Sequence, residues 1–234
     1  MIKRTIDIVV SAMALIVLSP IILLTAIAVW LQDRHSPLYI AWRVGFNGRE
    51  FGMIKLRSMV VNNDRVGSHI SGNDPRITAF GRVMRRCKLD EFTQFWNVLK
   101  GEMSLVGPRP GLKRETDVFT QTERKLLSIR PGISDFASIV FADQGEILKT
   151  SDDPNRDYTQ LIRPWKSRLG LFYLEHASIM LDLKVLTLTA VALINRKQAL
   201  RGVRAILLND NADEELIRIA SRQDPLVPAL PPGA

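Results

Sequence analysis

IVVSAMALIVLSPIILLTAIAVWL, residues 8–31, is a run of 24 residues without a single charge. As a straight helix it would measure about 36 Å, against about 30 Å of bilayer hydrocarbon, so its length is that of a membrane segment. A plain crossing fits it poorly. Pro20 at the midpoint lacks the N–H that a helix interior uses and its ring clashes with the preceding turn, while Ser19 beside it can bond a freed carbonyl. Lys3 and Arg4 flank the run on one side and Arg34, Arg43 and Arg49 on the other, so the positive-inside bias draws both ends to the cytoplasm. The expected solution is a re-entrant helix over 1–34 that enters the membrane, breaks at Ser19 and Pro20, and leaves by the same face. An ordinary span and a cleaved signal peptide compete with it, but the run is long for a signal peptide and Asp7 at its start is unusual there. Asp7 is expected either to pair with Lys3 or Arg4 or to lie at the membrane edge, because an unpaired acid at depth is costly.

The whole chain of 234 residues suffices for one core-bearing domain with attachments, or at most two small domains. Its single cysteine, Cys87, excludes an internal disulfide and a multi-thiolate zinc site, and is compatible with a reducing compartment. The formal charge of +8 is concentrated. Between Arg43 and Arg130 stand 17 Lys and Arg against 9 Asp and Glu. Such a field favours an anionic partner: nucleic acid, an anionic membrane surface, or a phosphorylated small molecule.

After the membrane segment, Leu38 to Trp42 and Phe51 to Leu56 read as two strands of a hairpin around the turn Phe46-Asn47-Gly48-Arg49. Lys55 and Arg57 alternate on the returning strand and are expected on one face. Residues 62–75 read as a surface loop, and 77–89 resumes helical spacing at Phe80, Val83 and Met84. Phe92, Phe95, Trp96 and Leu99 form an apolar stripe at helical period, read as core. Residues 169–193 suggest packed or interface-lying helices. The proline-rich end, 209–234, is expected to be a disordered tail. The resulting class is α+β, mainly α: a re-entrant helix, a small cytoplasmic catalytic domain over 35–208, and interfacial helices.

The chemistry gathers in LDEFTQFWNVLKGEMSLVGPRP, residues 89–110. Asp90 and Glu91 stand among Arg85, Arg86, Lys88 and Lys100, and the Gly-Pro-Arg-Pro turn brings back Arg109. An Asp-Glu dipeptide alone is most often solvated helix surface. Among arginines, whose planar fork grips phosphate oxygens in pairs, it outlines an anion-handling site. On a helix the two carboxylates would point about 100° apart, so they should serve different roles.

Taken in order, Lys3-Arg4 with Asp7, the Ser19-Pro20 break, Lys55-Leu56-Arg57-Ser58-Met59, Asp74-Pro75-Arg76-Ile77-Thr78, Leu89-Asp90-Glu91, Asn97-Val98-Leu99-Lys100-Gly101, Met103 to Pro110 and Arg130-Pro131-Gly132-Ile133 resemble the bacterial sugar transferases. More narrowly, the chain resembles the small monotopic phosphoglycosyl transferases, also called polyprenyl-phosphate hexose-1-phosphate transferases. The resemblance is dense from about residue 2 to 135, thinner to about 208, and absent beyond. It implies an enzyme of the inner membrane, with its catalytic domain on the cytoplasmic face. Such an enzyme moves a sugar 1-phosphate from a nucleotide diphosphate sugar, a UDP sugar, to undecaprenyl phosphate, and releases UMP. That is the first membrane step of a surface glycan such as an exopolysaccharide or O-antigen. By the same resemblance Asp90 is the nucleophile that forms a covalent phosphosugar, and Glu91 helps to hold Mg²⁺.

The resemblance also implies phosphate or sugar contacts for Arg85, Arg109, Lys55 and Arg57. Arg130 is divided between substrate contact and a rigid turn. Arg86 and Lys88 are left as surface charges. His35, His69 and His176 fit no metal or triad spacing. Thr93 stands where proline is common in the family and Glu102 where Asp is frequent. The segment 135–148 departs from the common version and is expected to help choose the sugar. A nucleic-acid binder would leave the acid motifs idle, and a scaffold descended from the enzyme would not need them intact. A homodimer through the apolar helices stays open.

Overall fold

The chain is described by a computed structural model over residues 2–61, 74–149 and 151–234. Helix α1 runs from Ile2 to Asp33 with Pro20 inside it. The expected break is absent as an interruption of the helix. Pro20 cannot donate to the carbonyl of Ile16 four residues back, and Ser19 Oγ donates to that carbonyl instead, at 2.8 Å.

Both ends of α1 are fastened to the same globular body. At the start, Lys3 Nζ reaches Asp182 Oδ2 at 2.5 Å and the carbonyl of Val106 at 3.1 Å. Arg4 donates to the carbonyls of Val98 and Leu99, which close the end of helix α3 (Gln94–Lys100) and carry its negative dipole. Asp7 accepts from Ser104 Oγ at 2.9 Å and from the backbone N–H of Leu105 at 3.1 Å, so its partners are neutral donors rather than Lys3 or Arg4. At the far end, Val29 packs with Leu56 and Met84, and Arg57 grips Asp33 with both terminal nitrogens at 2.6 Å. Between these anchors, apolar side chains such as Ile16, Val17, Leu23 and Leu24 are exposed. Removing the Asp7 carboxylate would strand two buried donors. Asp7→Ala is therefore expected to cost about 1–3 kcal/mol, read as a lower melting temperature in detergent.

Strands β1 (Leu38–Val44) and β2 (Glu50–Leu56) pair antiparallel, Leu38 opposite Leu56 and Val44 opposite Glu50. The turn works because Asn47 and Gly48 take left-handed backbone angles, φ 55° and 73°. Most of the expected loop, 62–73, lies outside the described residues. Helix α2 (Ala79–Arg86) is capped by Thr78, whose hydroxyl accepts from Gly81 N. Lys88 then turns left-handed at φ 58°, and the chain makes a tight 3₁₀ turn, Leu89–Glu91, before α3.

The apolar stripe around α3 is core only in part: Phe95 packs against the main core, while Phe92 and Leu99 are half-buried. Trp96 is 52% exposed, and the buried face consists of Thr93, Gln94, Asn97 and Val98. Polar groups pull that face inward. Asn97 accepts from Ile54 N and donates to Gly52 O and Glu102 Oε2, while Thr93 Oγ1 donates to Ile54 O at 3.0 Å. Thr93 keeps helical angles and adds this tie to β2.

Strands β3 (Ser104–Val106) and β4 (Gly132–Ser134) form a short parallel pair. A Cβ on Gly132 would fall 2.1 Å from Gly107 N, so only glycine permits this approach. The two strands deliver Arg109 and Asp135 to the same end.

The main core is built by helices α4 (Arg163–His176), α5 (Ile179–Ile194), α6 (Arg196–Asn209) and α7 (Glu214–Ser221) around Trp165, Phe136 and Leu207. α5 keeps an apolar outer surface, with Ile194 92% exposed. The end expected to be disordered instead carries α7, whose Leu216, Ile219 and Ala220 are buried in this core. Beyond it, Leu226 and Ala229 pack on the core, Ala229 N–H donates to Gln160 O, and Thr120 Oγ1 donates to Pro232 O at 2.6 Å.

Candidate active site

The 3₁₀ turn at Leu89–Glu91 pushes two carboxylates into the protein: Asp90 is 6% and Glu91 8% exposed. Such a turn spaces successive side chains by about 120°, so the adjacent acids diverge as expected, on a tighter helix than the α-helix read from sequence. Their surroundings differ. Glu91 Oε1 takes Lys55 Nζ at 3.0 Å and a guanidinium nitrogen of Arg109, and Oε2 has Lys88 Nζ at 3.8 Å. Asp90 Oδ1 is buried with no hydrogen-bond partner.

The electrostatics follow from this geometry. Burial works to raise the Glu91 pKa, but Arg109, Lys55 and Lys88 outweigh it and hold the carboxyl well below its usual range. Glu91 in turn raises the pKa of Arg109. Lys55 is pushed down by burial, a pull that Glu91 only partly offsets. Arg85 donates to Ser58 Oγ at 2.8 Å and is lowered by burial, with Asp90 the largest opposing influence.

Lys55, Arg85 and Arg109 therefore gather around Asp90 and Glu91. Arg57 does not join them. It lies just past the end of β2, and its fork is spent on Asp33. Arg130 also stays apart, donating to Gly101 O at 2.8 Å and covering the Phe46 ring, beside the turn that closes β4 against Gly107. Lys88, read as a surface charge, belongs to the Glu91 cluster because its left-handed backbone folds it back over the turn. Asp135 was visible only as part of a divergent segment. It caps the helical turn Phe136–Val140 by accepting from Ser138 N, and Oδ2 accepts from Arg109 N at 3.3 Å. Arg109 thus ties the acid pair to the end of β4. Among the described residues no three His, Cys, Asp or Glu side chains cluster as a metal site.

A cluster of two buried acids with three or four cations can attack, hold or release phosphate. Comparison with known proteins bears on which. The family described as Bacterial sugar transferase matches residues 1–196. The undecaprenyl-phosphate glucose phosphotransferase of Komagataeibacter xylinus is 36% identical over 80% of this chain and 35% of its own length. The UDP-N-acetylgalactosamine-undecaprenyl-phosphate N-acetylgalactosaminephosphotransferase of Aeromonas hydrophila is 32% identical over 79% of this chain and 41% of its own. The exopolysaccharide production protein ExoY of Sinorhizobium fredii is 36% identical over 56% of this chain and 66% of its own. The match thus spans well under half of the first two relatives.

Proposed function

The chain belongs to the bacterial sugar transferase family, and on that premise we propose that it transfers a sugar 1-phosphate from a UDP sugar to undecaprenyl phosphate at the cytoplasmic face of the inner membrane. The observation that carries this reading is the contrast within the acid pair: Glu91 is locked by cations while Asp90 keeps a buried oxygen without a partner. A desolvated carboxylate oxygen held in place and unspent is what a nucleophile requires.

Asp90 Oδ attacks the phosphorus that bears the sugar. The Asp90–phosphorus bond forms as the bond from that phosphorus to the bridging oxygen breaks, and UMP leaves with the electron pair. An oxygen of undecaprenyl phosphate then attacks the same phosphorus and Asp90 departs as a carboxylate. Arg109, Lys55 and Arg85 neutralise the diphosphate and orient it, which is most of what phosphoryl transfer asks of a protein. Glu91 Oε2, approached only by Lys88 at 3.8 Å among the described residues, is a hard oxygen suited to Mg²⁺, an ion commonly held by one or two carboxylates together with substrate phosphates. Bound by Glu91 and those phosphates, it would add charge neutralisation.

A re-entrant α1 is supported by its two anchored ends, since a straight crossing would carry Lys3 and Asp33 to opposite sides of a bilayer. With Cys87 replaced by serine, single cysteines at Ile2 and Ser36 are expected to react with an impermeant maleimide from the cytoplasmic side alone. Labelling of the two from opposite sides would establish a span. The reaction itself is tested by supplying the detergent-solubilised protein with Mg²⁺ and a panel of UDP sugars. UMP release over many turnovers that requires undecaprenyl phosphate is expected, and folded protein releasing none with any UDP, GDP or CDP sugar would refute it.

A further inference from the structure

Behind Arg109 a cavity of about 210 Å³ opens between the Gly107–Pro110 turn and helix α4. Two of the cations lining it have no carboxylate within ion-pair distance among the described residues. Lys166 donates to Gln144 Oε1 at 2.5 Å and sits 5.3 Å from the centre of the Tyr158 ring. Arg43 donates to the carbonyl of Trp42 at 2.8 Å. Arg163, on the same wall, is by contrast committed to Glu123 at 2.7 Å. An ammonium group enclosed by protein and held by an amide and a ring face is costly until an anion completes its shell. Burial, with Arg109 next, lowers the Lys166 pKa to about 8. The cavity adjoins the acid pair across Arg109. Arg109 is their shared wall, its side chain on Glu91 and its backbone N–H on Asp135, and Lys88 beside Glu91 is close enough to depress Lys166 further.

We infer that this cavity receives the phosphate end of the departing nucleoside monophosphate, with Lys166 and Arg43 as its anion grip. The inference rests on the transfer reaction proposed above and extends it to a subsite on the far side of Arg109 from Glu91. When Asp90 takes the sugar-bearing phosphorus, the bridging oxygen leaves with its electron pair on the other phosphate, which gains a negative charge and needs no proton. Cations set where that charge develops stabilise the separation. Among the described residues Lys166 and Arg43 lack a carboxylate within ion-pair distance although Glu115 and Asp135 share the wall, and two such cations favour a phosphate over a sugar ring.

The test titrates UMP, and uridine beside it, into the full-length detergent-solubilised protein and its Lys166→Met and Lys166→Arg variants. KM for the UDP sugar and for undecaprenyl phosphate is measured on the same proteins. Lys166→Met is expected to weaken UMP about 10- to 100-fold, the loss of a charge-assisted hydrogen bond. Uridine binding and the lipid KM should stay where they were, while the donor KM rises. Lys166→Arg should restore UMP affinity. It should also remove a pH dependence of the wild type, whose UMP affinity falls as pH rises above about 8 and the ammonium is lost. Arg43, Arg109, Glu115, Asp135, Lys88 and the Tyr158 phenol face Lys166 in both proteins, so the difference between the two profiles belongs to residue 166. If Lys166→Met fails to fold, Arg43→Met carries the same expectation.

UMP affinity unmoved by Lys166→Met, with transfer intact, overturns the inference and leaves the reaction standing. Unchanged UMP affinity with an altered choice among UDP sugars overturns it in favour of a sugar subsite. UMP binding that depends on Lys166, in a protein that transfers nothing, supports the cavity assignment and removes the reaction.

Discussion

Asp90→Asn yields a folded protein that releases no UMP above background in the presence of UDP sugar and lipid. The fall is expected to be at least about 1,000-fold, on the order of 4 kcal/mol of transition-state stabilisation. The argument is local. Asparagine has the shape of aspartate, and Asp90 Oδ1 has no hydrogen bond to lose, so the melting temperature should change little. An amide oxygen is a poor nucleophile and cannot leave as a carboxylate in the second half-reaction, so both steps are lost together. Glu91→Gln should behave differently. It removes the charge that Lys55 and Arg109 are built around, and so lowers stability as well as activity.

Arg109→Met is the second large effect, and it strikes stability and turnover at once. The change leaves Glu91 buried with Lys55 and a more distant Lys88 as its only ion-pair partners among the described residues. Breaking one partner from a buried pair costs about 3 kcal/mol, which for a chain of this size is a fall of about 10 °C in melting temperature. The pH dependence has a definite sign. In the wild type the Glu91 pKa is depressed on folding, so its contribution is present above the unfolded carboxylate value and is lost as pH falls through the lower folded value. Without Arg109 the folded value rises, and the protein should lose stability at a higher pH during acid titration. Arg109→Lys separates the two functions: a point charge restores much of the acid resistance but cannot hold Glu91 and a phosphate with one planar fork. Activity should therefore stay low while the melting temperature recovers.

What could be read in advance was whatever short stretches of chain specify by themselves. The apolar run with Ser19 and Pro20, the hairpin with Asn47-Gly48 at its turn, and the acid pair among arginines all carry their physics within a few residues. What stayed hidden depends on partners distant in sequence. Arg57 looked like a ligand contact because Asp33, 24 residues earlier, could not be seen as its partner. The contacts of Arg130 with Gly101 and Phe46 also join residues far apart in sequence. The stripe Phe92, Phe95, Trp96 and Leu99 has helical period, but Asn97 and Thr93 bond the backbone of β2 and turn Trp96 outward. Lys88 was set aside because nothing marks a lysine for a left-handed angle. The tail has the composition of a disordered end, yet its core contacts are made by α7 and by Leu226 and Ala229. Lys166 lies outside every motif of the sequence reading, and only the fold sets it against Gln144 and Tyr158.

The central claim is that Asp90 carries the phosphosugar between donor and lipid. Its most direct test is intact-protein and peptide mass spectrometry after brief mixing with a turned-over UDP sugar and Mg²⁺, with undecaprenyl phosphate left out. The account predicts a mass increase equal to one sugar phosphate on the peptide containing Asp90, absent in Asp90→Asn and discharged when the lipid is added. Lipid-dependent UMP release from a protein that never acquires this mass, with the quench shown to preserve acyl phosphates, would contradict it and require direct transfer between the two substrates.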